Sequence, residues 1–354
     1  MLNKPRLTAA VLLIVFVFAA CEKQAPQEQT EFIFGTLCRL RIPKGGNKVY
    51  QKVFARLHEI DAVFSANMAG TDIDRVNNKA GIEPVQVSGE LIYVLNRALL
   101  FAELSGGRFD PTIGPLVKLW GIGTEEPRVP RQDEIEQALS LINWRDVLVD
   151  DERKTVFLKQ KGMMLDLGAI AKGHAADEAV SIIRDAGVKS ALIDFGGNIV
   201  AYGKKPPASP FSKPELWRIG VQFPDMERGE YIGAVAVQDS TLVTSGGYER
   251  FFEADGRRYH HILSTETGYP VENDILSVTI VLSLRQEGQD EYNDASMDAD
   301  AFSTTLFAMG YEDGSAFISR FPDIEAVFVL KNGEIHATGA LRDRFGLNHQ
   351  TGNK

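Results

Sequence analysis

The chain has 354 residues, of which 44% are hydrophobic and 24% charged, as in an ordinary folded protein. This length suffices for one large domain or two closely packed subdomains. A formal net charge of −10 without a basic stripe excludes general affinity for nucleic acid, so an anionic ligand would have to be held by local features such as helix starts, single cations or a metal ion.

The N-terminus is predicted to direct export. An apolar run over residues 7–20, with the length of a signal-peptide core, ends in two alanines directly before Cys21. Small residues followed by cysteine resemble the bacterial lipoprotein processing box. We therefore expect a signal peptide at residues 1–20, a lipidated Cys21 and a flexible tether at 21–30, which would anchor the exported protein to a bacterial membrane facing the periplasm. The alternative is a plain secretory signal. Cys38 is the only other cysteine, which excludes an internal disulfide in the mature chain.

The first third of the chain is predicted to be mainly helical. Residues 32–42 are expected to form one half-buried strand, interrupted at Gly35 by a bulge or by the close approach of a ligand. Helical periodicity predicts helices over residues 50–64, 71–77 and 90–104. Thr71 and Ser88 are the expected N-caps of the second and third helices. Asn67 lies in the loop after the first.

A loop rich in glycine and proline follows the third helix, at residues 106–116. Its composition predicts an irregular but rigid segment, of the kind on which binding groups are mounted. The loop contains Arg108, Phe109 and Asp110. Beyond it, the segment around Trp120 is expected to pack beneath the loop. A short helix within residues 127–144 and a hairpin over 147–157 complete this part of the chain.

The middle of the chain contains a pattern typical of phosphate binding. An apolar run at residues 163–167 reads as a strand, Gly168 allows a tight turn, and a helix follows with Lys172 in its first turn. The N–H groups and partial positive charge of a helix start attract anions, and a lysine adds a full charge. The spacing is not that of a Walker loop. The alternative is that Lys172 is merely a solvated lysine.

Strands dominate the second half. They are predicted at residues 190–195, 217–223, 234–239 and 276–284, and residues 242–250 are expected to pass from an apolar strand into a glycine turn. Hairpins are predicted at 251–259 and 326–338, and a helix over 299–309. The two hairpins turn at Asp255-Gly256 and Asn332-Gly333. Because strands and helices alternate irregularly and several hairpin strands are adjacent, the pattern fits an α+β fold better than a doubly wound sheet.

Two further positions suggest chemistry. Asp300 and Thr304 stand four residues apart at a predicted helix opening, so their oxygens share one helical face and suit Mg²⁺. Alternatively, the aspartate only favours the helix N-terminus and Thr304 packs inward. His261 is a candidate general base because imidazole titrates near neutral pH, although a histidine in a turn is more often a hydrogen-bonding residue. The histidines and cysteines do not have the spacing of a zinc site.

Together these stretches resemble the ApbE family, the FAD:protein FMN transferases, which are flavin-trafficking lipoproteins. The similar stretches follow the family's order and reach from about residue 34 to about residue 310. They are residues 107–116 with Leu119-Trp120-Gly121, residues 166–173 with Asp177, Phe195-Gly196-Gly197-Asn198, Thr244-Ser245-Gly246 with Tyr248, His261-Ile262-Leu263 with Thr267-Gly268-Tyr269-Pro270, and Asp300-Ala301 with Thr304. Such an ordered series is far more specific than any single match.

The resemblance implies a fold and a set of site residues. The fold is a single α+β, T-fold-like domain over residues 31–345, with two related halves and FAD in the cleft between them. Asp300, Thr304 and the backbone carbonyl of Ala169 would hold Mg²⁺, Lys172 would approach the FAD diphosphate, and His261 would activate the attacking hydroxyl. The other residues implied to contact FAD are Phe34, Asn67, Arg108, Phe109, Asp110, Ser245, Gly246 and Ile262.

Two positions depart from the family pattern. Ser264 replaces a proline, which loosens that turn, and Asn67 stands where many relatives carry a tyrosine that would stack on the isoalloxazine. The implied activity is Mg²⁺-dependent transfer of FMN from FAD to a Thr or Ser hydroxyl of a partner flavoprotein, with release of AMP. Two alternatives stay open: an FAD pyrophosphatase that forms FMN and AMP, favoured by water entering beside Asn67, and a non-catalytic FAD-binding lipoprotein.

Overall fold

The computed structural model describes residues 27–43, 46–209, 211–222, 231–284 and 294–347. Its strands are β1 (Gln27–Ile33), β2 (Thr36–Ile42), β3 (Val85–Gln86), β4 (Val147–Asp150), β5 (Thr155–Leu158), β6 (Ser190–Phe195), β7 (Asn198–Gly203), β8 (Trp217–Gln222), β9 (Tyr231–Val237), β10 (Ser240–Gly246), β11 (Phe251–Ala254), β12 (Arg257–His260), β13 (Ile275–Ser283), β14 (Glu325–Leu330), β15 (Ile335–Ala337) and β16 (Phe345–Leu347). Its helices are α1 (Asn47–Phe64), α2 (Asp72–Asn78), α3 (Gly89–Leu104), α4 (Gly114–Trp120), α5 (Gln132–Leu139), α6 (Ala171–Asp185), α7 (Ala295–Met309), α8 (Tyr311–Ile318) and α9 (Leu341–Arg344).

Eight antiparallel strands form the central sheet, in the order β1-β2-β6-β7-β10-β13-β14-β15. The middle of this sheet is buried on both faces. On β10, Val243 packs into the helical core, while its neighbour Leu242 packs against Trp217 and Val235 of the separate sheet β16-β9-β8. Successive side chains of a strand point to opposite faces, so one strand supplies both cores. The α+β prediction is confirmed.

The helical layer brings together elements that are far apart in sequence. Helices α6 and α7 lie side by side, α1 packs on α6, and α7 covers β10 and β13. Gly173 allows the close approach of α6 and α7, because a Cβ there would lie 2.3 Å from the carbonyl oxygen of Ser296. This pair of helices carries Lys172 and Asp300.

A smaller core beside the main one is built from α4, α5 and the β11–β12 hairpin. It contains Leu116, Trp120, Ile135, Tyr259 and Leu263. The indole N–H of Trp120 donates to the carbonyl of Gly268 at 2.8 Å, which ties α4 to the loop after His261. The glycine-rich segment and the histidine segment singled out in the sequence therefore belong to one packed unit.

Local signals were read correctly at several places. Thr71 accepts a hydrogen bond from the N–H of Asp74, and Ser88 accepts one from the N–H of Leu91, so both predicted N-caps are confirmed. The predicted hairpins β4–β5, β11–β12 and β14–β15 are also present.

Four sequence predictions were wrong. Residues 32–42 are not one strand, because the chain reverses at Phe34-Gly35 and β1 pairs with β2. Residues 163–167 form only an isolated bridge between Met164 and Ile113. Helix α4 begins at Gly114, inside the segment expected to be irregular, and α7 begins at Ala295, which places Asp300 in its second turn.

The expected signal peptide and Cys21 lie outside the described residues. Strand β1 begins at Gln27, so the last residues of the expected tether are part of the sheet. Within the described ranges, no helix combines the length and the apolar character needed to cross a membrane.

Candidate functional site

Asp300 is the best-fixed side chain of the site. It is 3% exposed, and its Oδ2 accepts the N–H of Gly173 at 3.0 Å, while the Nζ of Lys172 lies at 3.5 Å. The carboxylate thus accepts a hydrogen bond from one of the N–H groups at the start of α6. These groups were expected from the sequence to be free for an anion. Lys172 also donates to the carbonyl of Gly168 at 2.9 Å, so it is not a freely solvated lysine.

Thr304 follows Asp300 by one turn on α7, as its spacing predicted. It is half-buried, and its hydroxyl lies 3.4 Å from that of Ser245. Ser245 and Ser303 are hydrogen-bonded at 2.8 Å, and Ser303 donates to the carbonyl of Asp300. A chain of hydroxyl groups therefore joins the end of β10 to the face of α7 that carries Asp300.

Asp177 fixes the start of α7 from the neighbouring helix. Its carboxylate accepts the N–H groups of Ser296 and Met297 at 3.0 and 2.8 Å, two donors that have no partner inside their own helix. We call α6 and α7, with Lys172, Asp300 and Thr304, the helical end of the site. Its geometry is set by buried backbone contacts.

His261 directly follows β12. Its backbone N–H and its ring Nδ1 lie 3.1 and 3.3 Å from the carbonyl oxygen of Arg250. A carbonyl only accepts hydrogen bonds, so Nδ1 carries the proton and Nε2 keeps its lone pair. Burial and the charges of Arg250 and Lys172 lower the pKa of His261 to about 3, so the imidazole is neutral at neutral pH and can accept a proton at Nε2.

The Phe34–Gly35 turn lies on the same side as His261. Arg250 donates from Nη2 to the carbonyls of Phe34 and Gly35 at 3.2 and 3.4 Å. We call this turn, Arg250 and His261, together with the loop of Asn67 that the family resemblance places beside the flavin, the loop end of the site. Asn67 is exposed in its loop, and Ile262, next to the candidate base, is 7% exposed.

The segment of Arg108, Phe109 and Asp110 is only partly open to a ligand. Phe109 packs in the core against Phe101, with ring centroids 6.0 Å apart. Asp110 is buried and accepts hydrogen bonds from Thr112, so burial raises its pKa while these bonds lower it. Arg108, paired with Glu266 at 2.7 Å, keeps its side chain partly exposed. The role of Phe109 and Asp110 in lining the FAD site stays a prediction.

Sequence reasoning missed Glu249 and Arg250. Glu249 follows the Ser245-Gly246 turn, and its Oε1 would lie 3.3 Å from a Cβ at Gly197. Loss of hydration of its carboxylate raises the pKa of Glu249 to about 7, with the charge of Asp300 adding to the rise and those of Lys172 and Arg250 opposing it. The residue is exposed to solvent. The only local signal was its place directly after a glycine turn.

A second depression, of about 440 Å³, lies along α3 and is lined by Tyr93, Asn96 and Arg97 among others. None of the predicted site residues lines it. Arg97 is paired with Asp298 at 2.7 Å, so the polar groups of this depression are already engaged in structural contacts.

The sequence and the fold agree on a family. The sequence model of the ApbE family matches residues 34–328, so the chain belongs to the ApbE family. The chain is 38% identical over 328 residues to the FAD:protein FMN transferase of Treponema pallidum, covering 89% of this chain and 88% of that protein. It is 34% identical over 313 residues to that of Klebsiella pneumoniae, covering 88% and 92%.

Solved structures agree. The crystal structure of the ApbE protein from Thermotoga maritima matches with a TM-score of 0.78 and 31% identity, covering 90% of this chain and 99% of that one. The apo form of the flavinyl transferase ApbE from Pseudomonas stutzeri matches with a TM-score of 0.74 and 27% identity, covering 91% and 98%. The family predicted from the sequence is confirmed.

Proposed function

We propose that this protein is a Mg²⁺-dependent FAD:protein FMN transferase that attaches FMN through a phosphodiester to a Thr or Ser hydroxyl of a partner flavoprotein. The observation that carries the proposal is His261, a neutral imidazole whose Nδ1 faces the Arg250 carbonyl and whose pKa is lowered by burial and in part by the charge of Lys172, the residue that pairs with Asp300. A protein that only bound FAD would need neither a neutral imidazole nor the buried carboxylate of Asp300. The names of the relatives support the same activity.

The residues at the helical end fit a hard cation. Asp300, Thr304 and the carbonyl of Ala169 are all oxygen donors, and no backbone hydrogen bond occupies that carbonyl within the described residues. The described part of the chain has no cluster of three or more His, Cys, Asp or Glu side chains for a metal. A mixed set of few oxygens suits Mg²⁺, which keeps several waters and bridges to phosphate. Bound there, Mg²⁺ would neutralise charge on the diphosphate.

The proposed reaction uses the chain's own residues in three roles. Lys172 attracts and orients the FAD diphosphate, and the loop end holds the flavin. Nε2 of His261 takes the proton of the acceptor hydroxyl while the hydroxyl oxygen forms a bond to the phosphorus in the FMN part of FAD. The bond from that phosphorus to the bridging oxygen breaks, and AMP leaves with that oxygen. Protein surfaces that exclude water favour the hydroxyl over hydrolysis.

Hydrolysis of FAD is a second candidate, and Asn67 favours it. An asparagine does not cover the flavin ring as a tyrosine would, so water can compete with the acceptor hydroxyl at the same phosphorus. The products would be FMN and AMP from the same residues.

The test is incubation of the protein with FAD and Mg²⁺, with a candidate acceptor domain and with a form of that domain whose acceptor threonine is valine. We expect AMP release with covalent flavin only on the threonine form. AMP release with free FMN under all conditions would identify a pyrophosphatase. FAD binding without AMP release under any condition would identify a non-catalytic binder and contradict the proposal.

We further propose that Cys21 carries a lipid that anchors the protein to a bacterial membrane, facing the periplasm. The support is the sequence pattern alone. Cys21→Ala should leave the protein soluble or unprocessed in fractionated cells. Unchanged membrane association of this variant would contradict lipidation at Cys21.

A further inference from the structure

Arg250 stands between β10 and the β11–β12 hairpin and makes contacts in two directions. Its guanidinium donates to the carbonyls of Phe34 and Gly35 at 3.2 and 3.4 Å, and the first of these bonds joins residues 216 positions apart. Its own carbonyl accepts the backbone N–H of His261 at 3.1 Å and faces the ring Nδ1 at 3.3 Å. One residue therefore touches both the β1–β2 turn and the candidate base.

The turn is a place where such support is needed. Phe34 has φ +56° and Gly35 has φ +67°, so both lie in the left-handed region. This conformation is unfavourable for an L-residue other than glycine, and it persists where neighbouring contacts hold it. Arginine suits the task because several N–H groups on one planar fork can reach adjacent carbonyls. A Cβ at Gly35 would lie 3.5 Å from Nη2, so the guanidinium packs directly on the turn.

The base depends on the same residue through its backbone. The Arg250 carbonyl selects the tautomer of His261 that leaves Nε2 free. Where this carbonyl lies depends on the path of the chain at residue 250, and that path is anchored by the side-chain bonds to the turn. Removing the guanidinium would loosen the turn and the carbonyl together.

We propose that Arg250 is a positioning residue that joins the Phe34–Gly35 turn to His261, so that the flavin-contacting turn and the base are set by one residue. The inference rests on the proposed function, which gives the turn its part in FAD binding and His261 its part in proton transfer. Arg250 itself needs no contact with the reacting atoms in this role.

The test compares Arg250→Gln and Arg250→Lys with Arg257→Gln. Arg257 lies on β12 and pairs with Glu272 at 2.9 Å, so its replacement removes an equal charge without a contact to the turn. The measurements are KM for FAD and kcat of AMP release, FAD affinity by titration, and imidazole NMR of the protein labelled with ¹⁵N-histidine, with His261 assigned through His261→Gln. Thermal unfolding of each variant establishes that it is folded.

We expect Arg250→Gln to raise KM for FAD roughly tenfold or more, because the hydrogen bonds from the charged guanidinium to the two carbonyls of the turn are lost. The NMR signals of His261 should change from the Nδ1–H tautomer to a mixture, because the charge of Arg250 and the position of its carbonyl both change. Lys172, the other charged side chain that acts on this ring, remains in place. Arg250→Lys, which keeps the charge but not the planar fork, should raise KM while altering the tautomer less.

Unchanged KM and unchanged His261 signals in folded Arg250→Gln would overturn the inference, as would equal effects of Arg257→Gln. A wild-type His261 that carries its proton on Nε2 would overturn it too. Failure of the proposed function looks different: the wild-type protein would release no AMP from FAD, while FAD affinity and the NMR signals would still report whether Arg250 holds the turn and the base.

Discussion

The two ends of the site are built in different ways. At the helical end, Asp300 is buried on α7 and bonded to the backbone of Gly173, and Asp177 on α6 holds the start of α7. At the loop end, the Phe34–Gly35 turn and His261 are joined through the single residue Arg250, and Asn67 is exposed. One end is fixed by packed helices and the other by a few hydrogen bonds between loops.

This difference matches two demands of the proposed reaction, which are stabilising charge on the diphosphate and admitting the flavin and the acceptor. Charge on a diphosphate is stabilised best by groups that do not move as the reaction proceeds, which is what packed helices provide. The flavin and the acceptor hydroxyl have to enter and leave, and loops allow that. Substitutions at the helical end should therefore abolish folding or chemistry, whereas those at the loop end should change the course of the reaction.

The largest effect is expected from Gly173→Ala. A Cβ there would lie 2.3 Å from the Ser296 carbonyl oxygen and 2.6 Å from the Met297 Cα, both backbone atoms, so the helices must separate. We expect a loss of at least about 1–3 kcal/mol in the free energy of unfolding, despite the higher helix propensity of alanine. Denaturant unfolding is the measurement.

Gly89→Ala is the matched control for that experiment, because a Cβ at this helical position meets no atom within 4 Å. It should leave stability unchanged or slightly raised. Equal stability of the two variants would mean that close contact at Gly173 does not fix the helical end.

The next effect concerns the fate of the flavin and depends on Asn67. Asn67→Tyr should lower the ratio of free FMN to protein-bound FMN by about two- to tenfold, because a stacked ring contributes about 0.5–1.5 kcal/mol and keeps water from the phosphorus. The measurement is one assay of both products. Met68→Tyr, in the same exposed loop, is the control, and equal partitioning by all three proteins would show that Asn67 does not decide the outcome.

A smaller effect should come from Glu249. Its pKa of about 7 means that it gains a negative charge as the pH rises through neutrality, and that charge repels the FAD diphosphate. FAD affinity should fall about two- to fivefold between pH 6 and pH 8 in the wild type and stay level in Glu249→Gln. Titrations at several pH values test this. Glu253→Gln, which removes an exposed carboxylate on β11, should show the same pH dependence of FAD affinity as the wild type. An identical change of affinity with pH in all three proteins would contradict the prediction.

The features predicted correctly from the sequence, such as N-caps and hairpin turns, depend on residues close together in the chain. The caps Thr71 and Ser88 act on N–H groups three residues away, and Asp255-Gly256 forms its own turn. The start of α7 was misplaced because its N-terminal N–H groups are satisfied by Asp177, about 120 residues earlier. Sequence periodicity carries no trace of such a partner.

The site shows the same limit. Asp300 and Thr304 were found by their helical spacing, and Lys172 by its place after Gly168. Arg250 was missed because its role exists only when the chain brings it to a turn 216 residues away, and that turn was missed because phenylalanine rarely adopts a positive φ. Phe109 looked available in sequence but is held in the core by Phe101.

The central claim is that the helical end performs Mg²⁺-dependent chemistry on the FAD diphosphate. The most direct measurement is AMP release in the presence of the acceptor domain, together with FAD binding, by the wild type and by Asp300→Ala, each with Mg²⁺ and with EDTA. Asp298→Asn, two residues earlier on the same helix and paired with Arg97, serves as the control. The account predicts metal-dependent AMP release by the wild type and the control, a loss of about 10²–10³-fold or more in Asp300→Ala, and FAD binding retained. Undiminished Mg²⁺-dependent AMP release by Asp300→Ala would contradict it.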